Sequence, residues 1–425
     1  MRTAVRLPDR GRMNLTVTAD LHAPHFLDVT APDFAPSGPA VQSARLACWR
    51  ADTPIGPAVL RHDDVAALLR DRRFGQGAAL LLDIQGIGDG PLLRWWREMV
   101  LNVEGPRHDR LRRLIVPAFR APVVDALRPR MRAEIDALIA GVLGTADEPV
   151  ARDGVADIAD PYPVAVLSDL LGIPPAERPL VRRWATDLGL AFTFEVATHL
   201  QRIEAALAGL HDVAGRLIAD RRRHGGEDFV SQLVVAEEAG DRLSEDELRN
   251  MLVATLFAGH DTTKHQLACA LHTFAEHPAQ WDLLARRPEL ASRAVEEVMR
   301  VAPAVPSILR VALEDVAYRD LELPAGTLVS LLVASANTDP ATYGQPPFDI
   351  TATRPRQLTF GGGVHHCVGH LLARAEMEDA LPRLASALTD LHISGPVQWR
   401  PPTGISGPAT LPLTFRRRPA AKEDR

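Results

Sequence analysis

Lysine is nearly missing from this chain: Lys264 and Lys422 are the only two, so almost all of its 48 basic residues are arginine. That bias follows the codon usage of a GC-rich genome and carries no structural demand. The formal net charge is only −6, which gives no reason to expect a nucleic acid partner. Cysteine is scarce as well. Cys48, Cys269 and Cys367 are too few and too scattered for a disulfide framework, which suits a reducing compartment and points to the cytoplasm. No run of about 18 apolar residues occurs, so no membrane anchor is expected. The arginine-bearing N-terminus lacks the apolar stretch of a signal peptide, and Met13 is an alternative start to Met1. What remains is ordinary for a soluble globular protein able to bury a sizeable core: 425 residues, 46% hydrophobic and 24% charged.

Residues 1–52 read as a partly loose N-terminal segment, 53–415 as a single domain and 416–425 as a C-terminal tail. The stretch Thr53–Asp71 looks like a short strand followed by a helix capped near Asp63 or Asp64. Phe74–Pro91 carries glycines around an apolar middle, Ala78–Ile84, and reads as a long irregular connection; such connections are uncommon unless they serve a function. Pro106 favours a helix start, and His108 and Arg112, four residues apart, share one face of that helix. Pro174 and Pro175 break between two helices, and Trp184–Leu200, with Phe192 and Phe194, reads as helix–loop–helix.

The longest helical pattern lies between Ser244 and Pro278. Ser244 with Glu247 has capping-box spacing, and Pro278 ends the run. About thirty residues would span roughly 45 Å, the width of a domain. Its middle is apolar, which makes Gly259, His260, Asp261 and Thr262 anomalous, because buried polar groups need partners. A plain explanation is a helix bent by side chains bonding back to backbone carbonyls. Downstream, Pro288–Val301 is a further helix containing Glu297 and Arg300. Short strands and turns follow across about 305–360, including Arg310.

The chain is organised around Phe360–Glu376, FGGGVHHCVGHLLARAE. Gly361–Gly363 cannot sit in a regular helix or strand, whereas Val368, Leu371, Leu372 and Ala375 have helical spacing. A loop therefore delivers Cys367 to a helix start, where unpaired N–H groups and the helix dipole favour a thiolate. A buried inert thiol is the ordinary alternative. A zinc site of His365, His366, Cys367 and His370 is disfavoured, since neighbours on one short turn rarely close a tetrahedron. A dinucleotide loop fails because His366 occupies the third glycine position.

The stretch resembles the haem-binding signature of cytochromes P450, FGxGxHxCxGxxLARxE, and Phe360, Gly361, Gly363, His365, Cys367, Gly369, Leu372, Ala373, Arg374 and Glu376 occupy every fixed position. The segment Asn102–Phe119 resembles the family's PPEHTRLRRL, and Ala258, Gly259, Asp261, Thr262 and Thr263 resemble its A/G-G-x-D/E-T-T. Glu297 and Arg300 stand where the family has ExxR. The resemblance covers about Thr53 to Leu413 and implies a mainly α fold with a small β-region. In that cytochrome P450 fold, a long central helix lies over the haem and a cysteine loop beneath it.

It further implies haem b with Cys367 as the metal ligand. His108, Arg112, Arg310 and His365 would contact the propionates, with Ala258, Gly259, Phe360, Gly361 and Gly369 against the cofactor. Asp261 and Thr262 would be the catalytic proton relay. Glu297 and Arg300 would be structural, in a network whose usual third member, an arginine, is Ala352 here, with Arg354 or Arg356 as its replacement. The implied substrate contacts are Leu82, Ile84, Phe192, Phe194, Phe257, Val305 and Ile308. Charge is scarce among these segments, so a mid-sized, largely apolar natural product is expected. Ferredoxin and ferredoxin reductase would supply electrons to a monomer free of nucleic acid and membrane. A peroxide-driven peroxygenase and a non-catalytic haem sensor are the alternatives; neither needs the Asp261–Thr262 pair.

Overall fold

The computed structural model describes residues 25–419, apart from 32, 145–147, 227, 239–242, 346 and 403. Both candidate starts and the tail beyond 419 lie outside the described residues.

Everything is arranged about one helix, Glu245–Glu276. Its start is fixed as the sequence predicts: Ser244 accepts from the Glu247 N–H, and the Glu247 carboxylate accepts from the Ser244 N–H, each at 3.2 Å. The helix is buried on nearly all sides and runs through the main core, packed by Tyr162, Leu167, Leu188 and Leu210 from neighbouring helices. The helices Ala121–Leu143, Val196–His224 and His370–Ala387 complete this α body. Among the described residues no helix is long and apolar enough to cross a membrane.

A smaller β-region lies beside it. Its five-stranded sheet has the order Arg50–Ala51, Ala58–Val59, Leu328–Leu331, Ile308–Ala312, Phe74–Gln76. Two sequence expectations change here. Phe74–Pro91 is not irregular: Phe74–Gln76 pairs antiparallel with Arg310–Ala312, a 3₁₀ turn spans Gly77–Leu80, and a helical turn spans Leu81–Ile84. The strand's partner lies far away in sequence, so no local pattern announced it. The helix after the first strands is His62–Leu68 with Arg61 at its N-cap, and Asp63 and Asp64 stand in its first turn.

The N-terminal segment, where described, is packed rather than loose. Pro39–Ala47 is helical, and Leu27, Val29, Val41 and Ala44 are buried against Leu60 and Leu332 in a small separate cluster. At the other end, Pro412–Arg417 is a strand paired with Val150–Asp153 and Leu388–Ile393, so ordered structure continues past residue 415.

Candidate haem site

The cysteine loop is shaped by its glycines. Gly361 and Gly363 have φ of +69° and +67°, a region open to glycine and strained for other residues. A Cβ on Gly363 would also lie 2.7 Å from the Leu69 carbonyl oxygen. The loop closes when the Cys367 N–H donates to the Phe360 carbonyl at 3.0 Å. The helix His370–Ala387 follows, with Gly369 as its N-cap. Cys367 is half-buried and opens into a cavity of about 390 Å³. Burial pushes its thiol above the ordinary value, opposed by the Gly369 N–H and by the Arg112 and Arg374 guanidinium groups. The helix start alone therefore does not decide the thiol's state.

Donors gather on one side of the same cavity. Arg112 donates to the His366 carbonyl at 2.5 Å. The His108 and His365 rings lie 4.4 Å apart between centroids. Strand register sets Gln76 opposite Arg310, and the guanidinium donates to the Gln76 Oε1 at 2.6 Å. Burial pushes Arg310 down to about 10, with Glu104 acting in the opposite sense. His365 Nε2 stands 3.0 Å from both Glu104 oxygens, and Glu104 also accepts the Gln76 N–H at 2.6 Å. Burial opposes the Glu104 charge, but His365 and the Gln76 N–H hold its carboxyl below the usual range. Neither Gln76 nor Glu104 was singled out from sequence. Their roles arise from a strand pairing and from the turn before the His108 helix.

The cavity's opposite wall is the central helix, through Phe257, Ala258, Gly259, Thr262 and Thr263. Thr262 donates from Oγ1 to the Ala258 carbonyl at 2.7 Å, the back-bonding expected of a mid-helix threonine. Asp261 does not open into the cavity, because one residue along a helix turns the side chain through about 100°. It is fully buried in a charged cluster on the other face: Lys264 Nζ lies 3.0 Å from Oδ1 and an Arg400 nitrogen 2.8 Å from Oδ2. His265 Nε2 is 3.6 Å from Oδ1. Burial works against the Asp261 charge, yet Lys264, Arg400 and His265 outweigh it and hold the carboxyl well below its usual range. Arg400 lies outside every motif. Lys264 had a readable signal, as a lysine three residues after an aspartate within an apolar helix.

Of the expected substrate contacts, Phe192, Phe194, Phe257, Val305 and Ile308 line the cavity. Phe192 stacks on Phe257 with centroids 4.9 Å apart and planes 15° from parallel, and Trp96 packs on Phe192 at 4.5 Å. Leu82 and Ile84 do not line it. The turn from 3₁₀ to α at residue 81 directs Ala78 and Leu81 inward and puts Leu82 in the core.

Outside the cavity, Arg300 donates to both Glu297 oxygens at 2.8 and 2.7 Å, and Arg354 joins them with Nε 3.3 Å from Glu297 Oε2. Arg356 turns instead to His366, 3.0 Å away.

Luteothin monooxygenase of Streptomyces thioluteus is 36% identical to this chain over 395 residues, which are 92% of this chain and 96% of that protein. The cytochrome P450 monooxygenase PikC of Streptomyces venezuelae is 32% identical across 95% of this chain and 98% of that protein. This chain belongs to the cytochrome P450 family. The cytochrome P450 family model matches residues 190–282 and 279–388. The solved structure of cytochrome P450 CYP109Q5 from Chondromyces apiculatus shares the fold with a TM-score of 0.81 at 30% identity, over 93% of this chain and 99% of that one. The protein is accordingly a P450 monooxygenase of the bacterial type, with a haem cofactor, a substrate and redox partners.

The residues present fit that cofactor. A soft sulfur ligand opens to the cavity at Cys367, and Gly361 and Gly369 line it without a side chain. Two permanent cations and two imidazoles converge on one side, as two propionates require.

Proposed function

We propose that this P450 binds haem b through Cys367 and oxidises a mid-sized, largely apolar intermediate of natural-product biosynthesis. One observation carries the reading. Among the described residues, the titratable lining of the cavity is confined to His108, Arg112, Arg310, His365, His366, Cys367 and Glu376, while its roof is the stacked pair Phe192 and Phe257, backed by Trp96. A charged substrate group would lie unpaired beneath that roof. The name of luteothin monooxygenase, a relative along nearly its whole length, supports a natural-product substrate.

When bound, the haem supplies dioxygen activation, and a cysteine thiolate gives it the electron density that favours O–O cleavage. The chain does the rest. His108, Arg112, Arg310 and His365 hold the propionates, and the aromatic roof excludes water and orients the substrate. Thr262 Oγ1 lies at the cavity wall and presents its hydroxyl proton there on turning from the Ala258 carbonyl. Asp261 replenishes that proton only after its carboxylate leaves Lys264 and Arg400 and takes up a proton from water, since in the present geometry it is ionised and turned away. Ferredoxin and ferredoxin reductase supply the electrons, and the protein works in the cytoplasm as a monomer.

The deciding experiment is the absorbance of the reduced carbon monoxide complex. The wild type should show the band that names the family, and Cys367→Ala should lose it. Retention of the band in the variant would overturn the ligand assignment.

A further inference from the structure

The cavity does not end above Cys367. Past Val305 and Ile308 it continues between the strands Ile308–Ala312 and Leu328–Leu331 and the N-terminal segment, where Ile55, Leu332, Val29 and Phe34 line it. These last residues belong to the small cluster separate from the main core. Val29 and Leu332 are buried, whereas Phe34, the aromatic residue among the four, is half-buried. Among the described residues, the polar side chains along this arm are the hydroxyls of Ser307 and Ser330, with no charged side chain beside Val29, Phe34, Ile55 and Leu332. Its outer wall is pinned in place: the Leu27 N–H donates to Asp52 at 2.9 Å, the Asp52 N–H to His25 at 3.0 Å, and the Phe34 N–H to Ala31 at 3.1 Å.

We propose that this arm receives an apolar extension of the substrate and that Phe34 sets its length. The inference rests on the haem–thiolate reading above and makes it narrower: the substrate is elongated, oxidised at the end nearest Cys367, and carries an uncharged hydrocarbon portion at the other. An unpaired charge in the arm would be costly to desolvate, and each buried methylene adds affinity. Two hydroxyls offer at most a weak polar foothold midway. Phe34 is a specificity-determining residue in this scheme, not a catalytic one.

A series of 1-alkylimidazoles tests this with one end fixed. The imidazole nitrogen binds the haem iron of the holoenzyme and shifts its absorbance, and the alkyl tail measures the reach of the cavity. Affinity should rise by about fourfold per methylene until the tail meets Phe34, and then level off. Phe34→Ala should move that plateau to longer chains and Phe34→Trp to shorter ones. The affinity for 1-methylimidazole should be equal in all three proteins, which controls for folding and haem loading. A plateau at the same chain length in all three would overturn the arm. Failure of 1-methylimidazole itself to shift the wild-type absorbance would instead overturn the haem–thiolate reading beneath it.

Discussion

Single side chains divide here into those that face the cofactor cavity and those that hold such residues still. Thr262 is of the first kind and Asp261, its neighbour, is of the second in the geometry observed, although both belong to one motif. Their substitutions should therefore differ. Thr262→Ala removes one cavity hydroxyl bonded to the Ala258 carbonyl of its own helix, so haem and substrate binding should persist. Product formation should fall by about 10²-fold while NADH is still consumed, because a positioned proton donor is gone. Equal product per NADH in variant and wild type would remove Thr262 from the mechanism. Asp261→Asn would instead strip a buried counter-charge from Lys264 and Arg400, a change costing about 3–5 kcal/mol. It is thus the poorer probe of chemistry. The same logic separates Arg354 from Arg356. Arg354→Ala should lower stability by about 1 kcal/mol through the loss of a partly exposed contact with Glu297. Arg300→Ala should lower it by about 3–5 kcal/mol because Glu297 is left buried without its bidentate partner. Arg356→Ala should leave that network unchanged. Urea denaturation midpoints of the holoenzymes distinguish the three.

Elements show which parts of the structure the sequence could announce. The central helix was legible from end to end because its signals are local: a capping box, an apolar run and a proline stop. The cysteine loop was legible for the same reason. The strand Phe74–Gln76 was not, since its stability comes from Arg310–Ala312 across the sheet and nothing within three residues encodes that pairing. Leu82 was mistaken for Leu81 because side-chain direction depends on where a 3₁₀ turn becomes α, a boundary that sequence leaves loose. Glu247 joins local and distant order. Besides closing the cap, it accepts from Arg110 at 2.9 and 2.6 Å and lies 3.3 Å from Arg107, tying the start of the central helix to the helix that carries His108 and Arg112. Ser244→Ala should cost about 1 kcal/mol, the value of a cap. Glu247→Ala should cost more and also loosen the donors around the haem. Slower haem loss from Glu247→Ala than from Ser244→Ala would contradict that link.

Across the whole molecule the central helix separates two electrostatic settings. Its cavity side is nearly free of charge. Its other side packs Asp160, His260, Asp261, Lys264, His265 and Arg400 into one buried cluster. Between the central helix and the cysteine helix lies Glu376, which among the described residues has no cation beside it. Its Oε2 stands 3.5 Å from the Thr263 hydroxyl, and its buried Oε1 has no hydrogen-bond partner among the described residues. Burial pushes this carboxyl well above the ordinary range, with Thr263 opposing weakly. A raised carboxyl contributes stability below its unfolded value of about 4.3 and loses that contribution as pH rises toward the folded value. Asp261, held low, acts in the opposite sense and only at more acidic pH, where stability is lost as it is protonated. His265, pushed down chiefly by burial, loses stability below about pH 6.5. These opposing slopes obscure Glu376 in the wild type alone, so the comparison must be with Glu376→Gln, which keeps the shape and cannot ionise. Near pH 4 the two proteins should have equal thermal midpoints. Toward pH 8 the variant should be the more stable, by a margin that grows with pH until the folded carboxyl ionises. A constant difference between the two proteins from pH 4 to pH 8 would mean that Glu376 is already ionised in the folded chain and that an unseen partner holds its charge.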